Sequence, residues 1–417
     1  MTHFHKRILP SLVLMLGIVS GETCGFSPSK ETEVLNESTF REIWNTIESA
    51  FPANPEQQEQ WRTVREQYET RMIQAHDHEE FRSIAQEMIV ELGLSHFNVL
   101  EADPLSEWDH LLPSGHTGFT GIELGFAHNQ WWVIRVHPGS SAEEAGILPG
   151  FRIRSIQGII PDARERPAAA RFRQSRWIWG AAGAEVTIEV LDRENALHKH
   201  ILHYKPWTGL RSKPMGLTSE IPILYDDSII DDVVVIRFSN WEPVILSRIL
   251  QAVRKASAHQ GLIIDLRSNT GGIGMMANGL AGRMTDKPFS LGTSFMKKGN
   301  LNFAVFPQAD PYLGKIAILI NEWSASTSEI FALGMKEAGR ARIFGSRSMG
   351  AALPSFFTKL PNGDTLQHAI ATYQSPSGTS IEGSGVYPDQ LIEPRPEDLL
   401  QGQDPVLYTA VQWINQP

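Results

Sequence analysis

Residues 315–330 read KIAILINEWSASTSEI, and the parsing of this stretch decides the fold. Residues 316–320 are an unbroken apolar run of the length expected for a strand buried on both faces. The small hydroxylic residues after it lead straight into FALGMKEAG, where Ile330, Leu333 and Met335 have helical spacing and Gly339 is the stop. A strand that turns sharply into a helix puts one side chain at the helix N-terminus, where unpaired N–H groups and the dipole favour negative charge. Ser326 is that residue. It reads either as a nucleophile or, with Thr327, Ser328 and Glu329, as part of a capping box in which Glu329 answers Ser326.

Working outward, residues 233–238 read as a strand, 243–256 as a helix with Pro243 at its start, and 261–266 as a second buried strand. That strand ends in Arg267-Ser268-Asn269-Thr270-Gly271-Gly272, followed by a helix over 275–284. Downstream come a strand at 343–345 and a hairpin, 355–360 and 365–373, joined by Pro361-Asn362-Gly363-Asp364. Strands alternating with helices predict a layered α/β domain over residues 216–417.

Residues 30–95 read as a helical module. Its first helix spans 36–51, capped by Ser38 or Thr39, with Phe40, Ile43, Trp44, Ile47 and Phe51 on one face. A second carries Trp61, Val64, Tyr68 and Met72, and a third runs over 79–92 to a stop at Gly93. His76-Asp77-His78-Glu79-Glu80, between the last two, lacks a defined ligand spacing and reads as a solvated helix start rather than a metal site. His198, His200 and His203 are read the same way, so no metal or other cofactor is expected. Gly93-Leu94-Ser95-His96-Phe97 places a Ser-His pair in a loop, which taken alone is a hydrogen-bonded structural histidine.

From 115 to 205 the pattern is β. GFTGIELGF at 118–126 precedes a strand at 131–136, a short helix boxed by Ser141 and Glu144 and ended by Gly146, a strand at 153–156, a helical piece near 167–172 and a strand at 185–190. The unit resembles a PDZ domain. That resemblance implies either a loop at Gly121 whose N–H groups meet a chain-terminal carboxylate, beside an open strand edge carrying Ile122, Leu124 and Gly125, or a module that only regulates or spaces the domains.

At 417 residues the chain is long enough for two or three domains, and its formal charge of −10, with no basic tract, argues against a nucleic-acid partner. His5-Lys6-Arg7 followed by ILPSLVLMLGIVSG reads as a signal segment over residues 1–24, so the chain is expected to be exported, to a periplasmic or extracellular site. Cys24 is the only cysteine, which rules out an intrachain disulfide. Its position predicts a lipid-modified, membrane-associated N-terminus as one outcome and cleavage nearby as the other, since Gly21-Glu22-Thr23 departs from the usual Leu-Ala-Gly-Cys-like signal.

DLRSNTGG, INEWSASTSEIFALGMKEAGRARIFGSRSMGAALPS, LPNGDTL and SIEGSGVYPD, in that order, resemble the C-terminal-processing (tail-specific) serine peptidases over residues 85–395. The resemblance implies a helical module, a PDZ-like β domain and a layered α/β (ClpP/crotonase-like) catalytic core acting on a polypeptide. It makes Ser326 the nucleophile. In the best-known branch a lysine of a Gly-Lys pair activates the serine, and it would fall 25 residues later. Here Gly350-Ala351 stands at that place and the nearest downstream lysine is Lys359. A second branch, resembling the tricorn core protease and the modules of interphotoreceptor retinoid-binding protein, has Gly-x-Ser-His after the N-terminal helices and a Glu before Gly-Val-x-Pro-Asp. Gly93-Leu94-Ser95-His96 and Glu382 through Asp389 match. That branch implies His96 as general base, Ser95 as its support and Glu382 completing a tetrad.

A tetrahedral oxyanion needs two aimed N–H donors, and Thr327 with Gly271 or Gly272 supply candidates. Two rival functions share such a core: a non-catalytic binding protein for an apolar ligand or peptide, and an acyl-transfer enzyme of crotonase type. Retention of Ser326, His96 and Glu382 disfavours the first, and the lack of a nucleotide cradle disfavours the second.

Overall fold

Six strands form the central sheet, in the order Tyr225–Ile230, Val233–Phe238, Gly261–Asp265, Lys315–Ile320, Arg342–Gly345, Gln390–Leu391. The first pair is antiparallel and the rest are parallel. In this computed structural model, residues 28–100, 117–127, 130–160, 177–214, 220–401 and 403–417 are described. The stretch read as a signal segment, with Cys24, and the helical piece read near 167–172 lie outside the described residues.

Alternation along each strand feeds two cores, as period-2 geometry requires. Ile316, Ile318 and Ile320 point with Val234, Ile236, Leu262 and Ile264 toward the helices Leu246–Ala256, Gly274–Gly282 and Thr327–Glu337. Ala317 and Leu319 point with Val233, Val235 and Ile263 to the opposite face, under the helix Pro405–Asn415. With both faces covered, the strands carry no polar alternation, which is why 316–320 is apolar throughout. A second sheet, Asn300–Val305, Phe289–Met296 and Ala371–Gln374, covers the far side of the helix Thr327–Glu337.

The helices Lys30–Ala50, Pro55–Ile73 and His78–Val90 pack through Phe40, Ile43, Trp44, Trp61, Phe81 and Met88, with Trp44 stacked on Trp61 at 4.5 Å. The first begins at Lys30, capped by Ser29. Ser38 and Thr39 are therefore not caps; both bond back to the Leu35 carbonyl from inside the helix (2.8 Å each).

This helical core also contains Val99, Leu353, Leu360, Leu366 and Ala369. The hairpin assigned from sequence to the α/β domain thus leaves it. Thr365–Ala369 pairs with Asn98–Leu100 on one side and Ser355–Lys359 on the other, under the helices, and Arg82 clamps Asp364 at 3.0 Å. The strand read over 365–373 splits at Ile370: Ala371–Gln374 pairs with Phe289–Met296 instead.

The β unit has a five-stranded antiparallel sheet: Ile122–Ala127, Gln130–Val136, Arg152–Ile156, Glu185–Leu191, Leu197–His203. Its short helix Ser141–Glu144 is capped one residue earlier than read, by Ser140, and Glu143 bonds back to Gly139 N–H at 2.6 Å. The unit docks on the α/β domain through Glu123, which accepts from Arg237 at 2.5 Å and bonds His137 at 2.7 Å. Burial alone would push the Glu123 carboxyl up, but Arg237 and His137 override it and hold it at about 2. Trp323, two residues before Ala325, stacks on Trp131 of this unit at 5.5 Å.

Candidate active site

Ser326 stands where the strand Lys315–Ile320 has ended and the helix Thr327–Glu337 begins. Its φ of 57° is one that a residue with a Cβ rarely adopts. Such strain costs on the order of 1–3 kcal/mol and persists only where neighbours over-determine it. They do so here. Ser324 Oγ donates to the Leu266 carbonyl (2.8 Å), Ala325 N–H donates to the Asn269 carbonyl (3.0 Å), and Ser326 N–H reaches the Ala351 carbonyl (2.8 Å).

Glu329 is fully buried and answers Ser326 N–H at 3.0 Å, so the capping reading describes a real contact. The same carboxylate accepts from Gly350 N–H (2.8 Å), Ala351 N–H (2.9 Å) and Ser348 Oγ (2.5 Å), which a simple cap would not do. Burial raises its pKa, and these donors oppose the rise. Glu329 therefore fixes the 348–351 loop against the helix start.

Gly271 lies against the serine: a Cβ there would sit 2.6 Å from Ser326 Cβ and 3.1 Å from Ser326 Oγ, at a φ of 96°. Its N–H is committed to Asn269 Oδ1 at 2.9 Å, so Gly271 makes room for the serine rather than donating to an oxyanion. Among the described residues Gly272 N–H has no acceptor, and Thr327 N–H opens a helix whose first N–H groups have no intrahelical partner. Thr327 Oγ1 donates to the Gly272 carbonyl at 2.8 Å and so locks the two donor-bearing residues together. Asn269, which composition did not single out, also accepts from Ser328 Oγ (2.9 Å) and donates to the Phe238 carbonyl (2.8 Å), joining three segments.

His96 also has a positive φ, 59°. Ser95 Oγ contacts His96 Nδ1 at 2.8 Å and donates to Glu382 Oε2 at 2.9 Å, and Ser95 N–H donates to Glu382 Oε1 at 2.6 Å. A hydroxyl has one proton. If it goes to Glu382, His96 Nδ1 must donate to Ser95 Oγ, which leaves Nε2 bare and able to take a proton. Burial pushes the His96 imidazole down to about 4 and raises Glu382.

Glu382 Oε2 also accepts Ala352 N–H at 3.2 Å, beside the Ala351 carbonyl that holds Ser326. The two halves of the site thus meet at residues 351–352. His96 and Ser326 are not themselves hydrogen-bonded. Lys359 is exposed on the strand Ser355–Lys359.

On the β unit, Ile122–Ala127 is an edge strand, with Gly121 at a φ of 90° just before it. Ile122 and Leu124 are only 2% exposed, packed with Val133, Ile156 and Leu202, so this strand turns backbone rather than these side chains outward. A Cβ on Gly125 would strike Ile134 at 2.6 Å. Among the described residues no cluster of three His, Cys, Asp or Glu is arranged around a common metal position.

Residues 232–392 match Peptidase family S41. The "Carboxyl-terminal-processing protease" of Synechocystis is 22% identical over 374 residues, 88% of this chain and 84% of that protein. A "Probable CtpA-like serine protease" of Staphylococcus aureus is 26% identical over 285 residues, 66% of this chain, which spans only 52% of that relative. Among solved structures, the photosystem II D1 C-terminal processing protease superposes with a TM-score of 0.61 at 20% identity, over 91% of this chain and 97% of that one. The tricorn protease superposes with a TM-score of 0.54 at 17% identity, over 92% of this chain and 36% of that one. These superpositions establish the shared fold. The family match thus covers residues 232–392, and the chain around them shares the fold of the photosystem II D1 C-terminal processing protease.

Proposed function

We propose that the chain is an exported serine endopeptidase that cuts unfolded or C-terminally exposed polypeptides with Ser326 as nucleophile and His96, not a lysine, as base. His96 Nε2 takes the Ser326 proton as Oγ attacks the scissile carbonyl, and returns it to the leaving amine. Ser95 and Glu382 hold the tautomer that keeps Nε2 bare. Thr327 and Gly272 N–H groups receive the oxyanion, each such donor being worth about 3 kcal/mol. The β unit acts as a PDZ-like reader of chain termini along Ile122–Ala127, and the α/β domain is the ClpP/crotonase-like core.

The observation that carries this reading is the bonded path from His96 through Ser95 to Glu382, ending on Ala352 next to the residue that holds Ser326. Its test is digestion of an unfolded polypeptide such as casein by the intact chain and by Ser326→Ala. Cleavage by the first and none by the second is expected. Equal cleavage by both would refute it.

A further inference from the structure

Ser355–Lys359 is the outer strand of the sheet that also holds Thr365–Ala369 and Asn98–Leu100. Its inner side is fixed by Leu360 N–H to the Asp364 carbonyl (2.7 Å) and Ile370 N–H to the Pro354 carbonyl (2.8 Å). Phe356 faces His368 and Thr358 faces Leu366 in the same register. Bonded and non-bonded pairs alternate in an antiparallel ladder, so residues 354, 356, 358 and 360 spend their backbone groups inward. Ser355, Phe357 and Lys359 must turn theirs outward, and among the described residues those groups have no partner.

Exposed edges are ordinarily blunted by proline, charge or a bulge. This one carries Phe356, 48% exposed, and Phe357 at its centre, with its single charge at the far end, Lys359. The strand also continues directly from the catalytic segment. Ser355 lies four residues beyond Ala351, at most about 14 Å of chain, and Ala351 holds Ser326 while Ala352 holds Glu382.

We propose that the outer edge of Ser355–Lys359 is the substrate rail: an extended polypeptide adds as a further antiparallel strand to Ser355, Phe357 and Lys359, with apolar side chains beside Phe356 and Phe357. This deepens the peptidase reading and rests on it. Any substrate lacking an extended segment is excluded, because only backbone with period-2 spacing can meet all three outward positions.

The test uses Ser326→Ala full-length chain and a fluorescent twelve-residue peptide of alternating apolar and polar residues that carries one photoreactive side chain. Phe357→Pro removes one outward N–H, and edge strands tolerate proline at such positions. It should weaken peptide binding at least tenfold, whereas Phe357→Ala, which keeps the N–H, should weaken it less than threefold. Crosslinks should map to residues 355–359. Crosslinks confined to residues 122–127, or a folded Phe357→Pro chain that binds like its parent, would overturn the rail. If Phe357→Pro does not fold, the crosslink map decides alone. Reaction of Ser326 with a fluorophosphonate in the unsubstituted chain is read separately: peptide on the rail without reaction would sink the peptidase reading and leave the rail standing.

Discussion

Ser326 and Glu382 are anchored to consecutive residues: the Ala351 carbonyl accepts Ser326 N–H at 2.8 Å, and Ala352 N–H donates to Glu382 Oε2 at 3.2 Å. Position 351, where the lysine-dependent branch has its base, is filled here by a buried methyl group and two spent backbone groups. In the proposed mechanism the proton acceptor comes from another element, and the Ser95–Glu382 bonds tie the loop that carries His96 to this segment.

Acidification should leave activity intact well below the ordinary imidazole pKa of about 6.5. Burial holds His96 near about 4, so the ring stays neutral and basic until the pH approaches that value. The acid limb of kcat/KM for a short peptide should fall there; a limb centred at 6.5 would mean a solvated histidine.

Ser95→Ala removes the hydroxyl 2.8 Å from His96 Nδ1, the acceptor of its proton in the proposed mechanism, and deprives Glu382 of one donor. Expected is a fall in kcat of about 10²-fold, within the range general-base catalysis supplies, with KM nearly unchanged. A loss confined to KM would assign Ser95 to substrate binding.

Glu329→Gln turns an acceptor of four bonds into a group that presents N–H to other N–H donors. Unfolding by denaturant should show a loss of about 1–3 kcal/mol for the mismatched buried donor, together with lower kcat. An unchanged midpoint and unchanged kcat would contradict the ordering role given to this carboxylate.

Glu123 makes the docking of the β unit pH-dependent. Its folded pKa, about 2, lies below its unfolded value, so the stabilisation is present above the unfolded pKa and is lost as the pH falls through about 2. Arg237→Met should cost about 3 kcal/mol by leaving the buried carboxylate short of its cation, and should move the acid unfolding transition to higher pH. Coincident acid transitions for the two chains would rule this out.

Much of the core was legible because its strands are buried on both faces: the runs at 233–238, 261–266 and 316–320 have one pattern and one solution. Gly146 and Gly339 ended their helices where read, each at positive φ, whereas the helix read to 92 stops at Val90, three residues before Gly93. What could not be read was long-range. The hairpin at 355–369 has turn chemistry that fixes its own register, but nothing local says that it pairs with residues 98–100. Gly271 and Gly272 look alike as adjacent glycines, and only Asn269 Oδ1, by taking one N–H, separates their jobs. Ser38 and Thr39 have capping side chains, but a longer helix with a better-placed Ser29 swallowed them.

The most direct test of the site is the rate at which a fluorophosphonate labels Ser326 in the unsubstituted chain, in His96→Ala and in Lys359→Ala. Labelling should drop at least 10²-fold on loss of the imidazole and stay at the parent rate on loss of the lysine. The reverse pattern, with His96→Ala labelled normally and a folded Lys359→Ala silent, would contradict the assignment of the base.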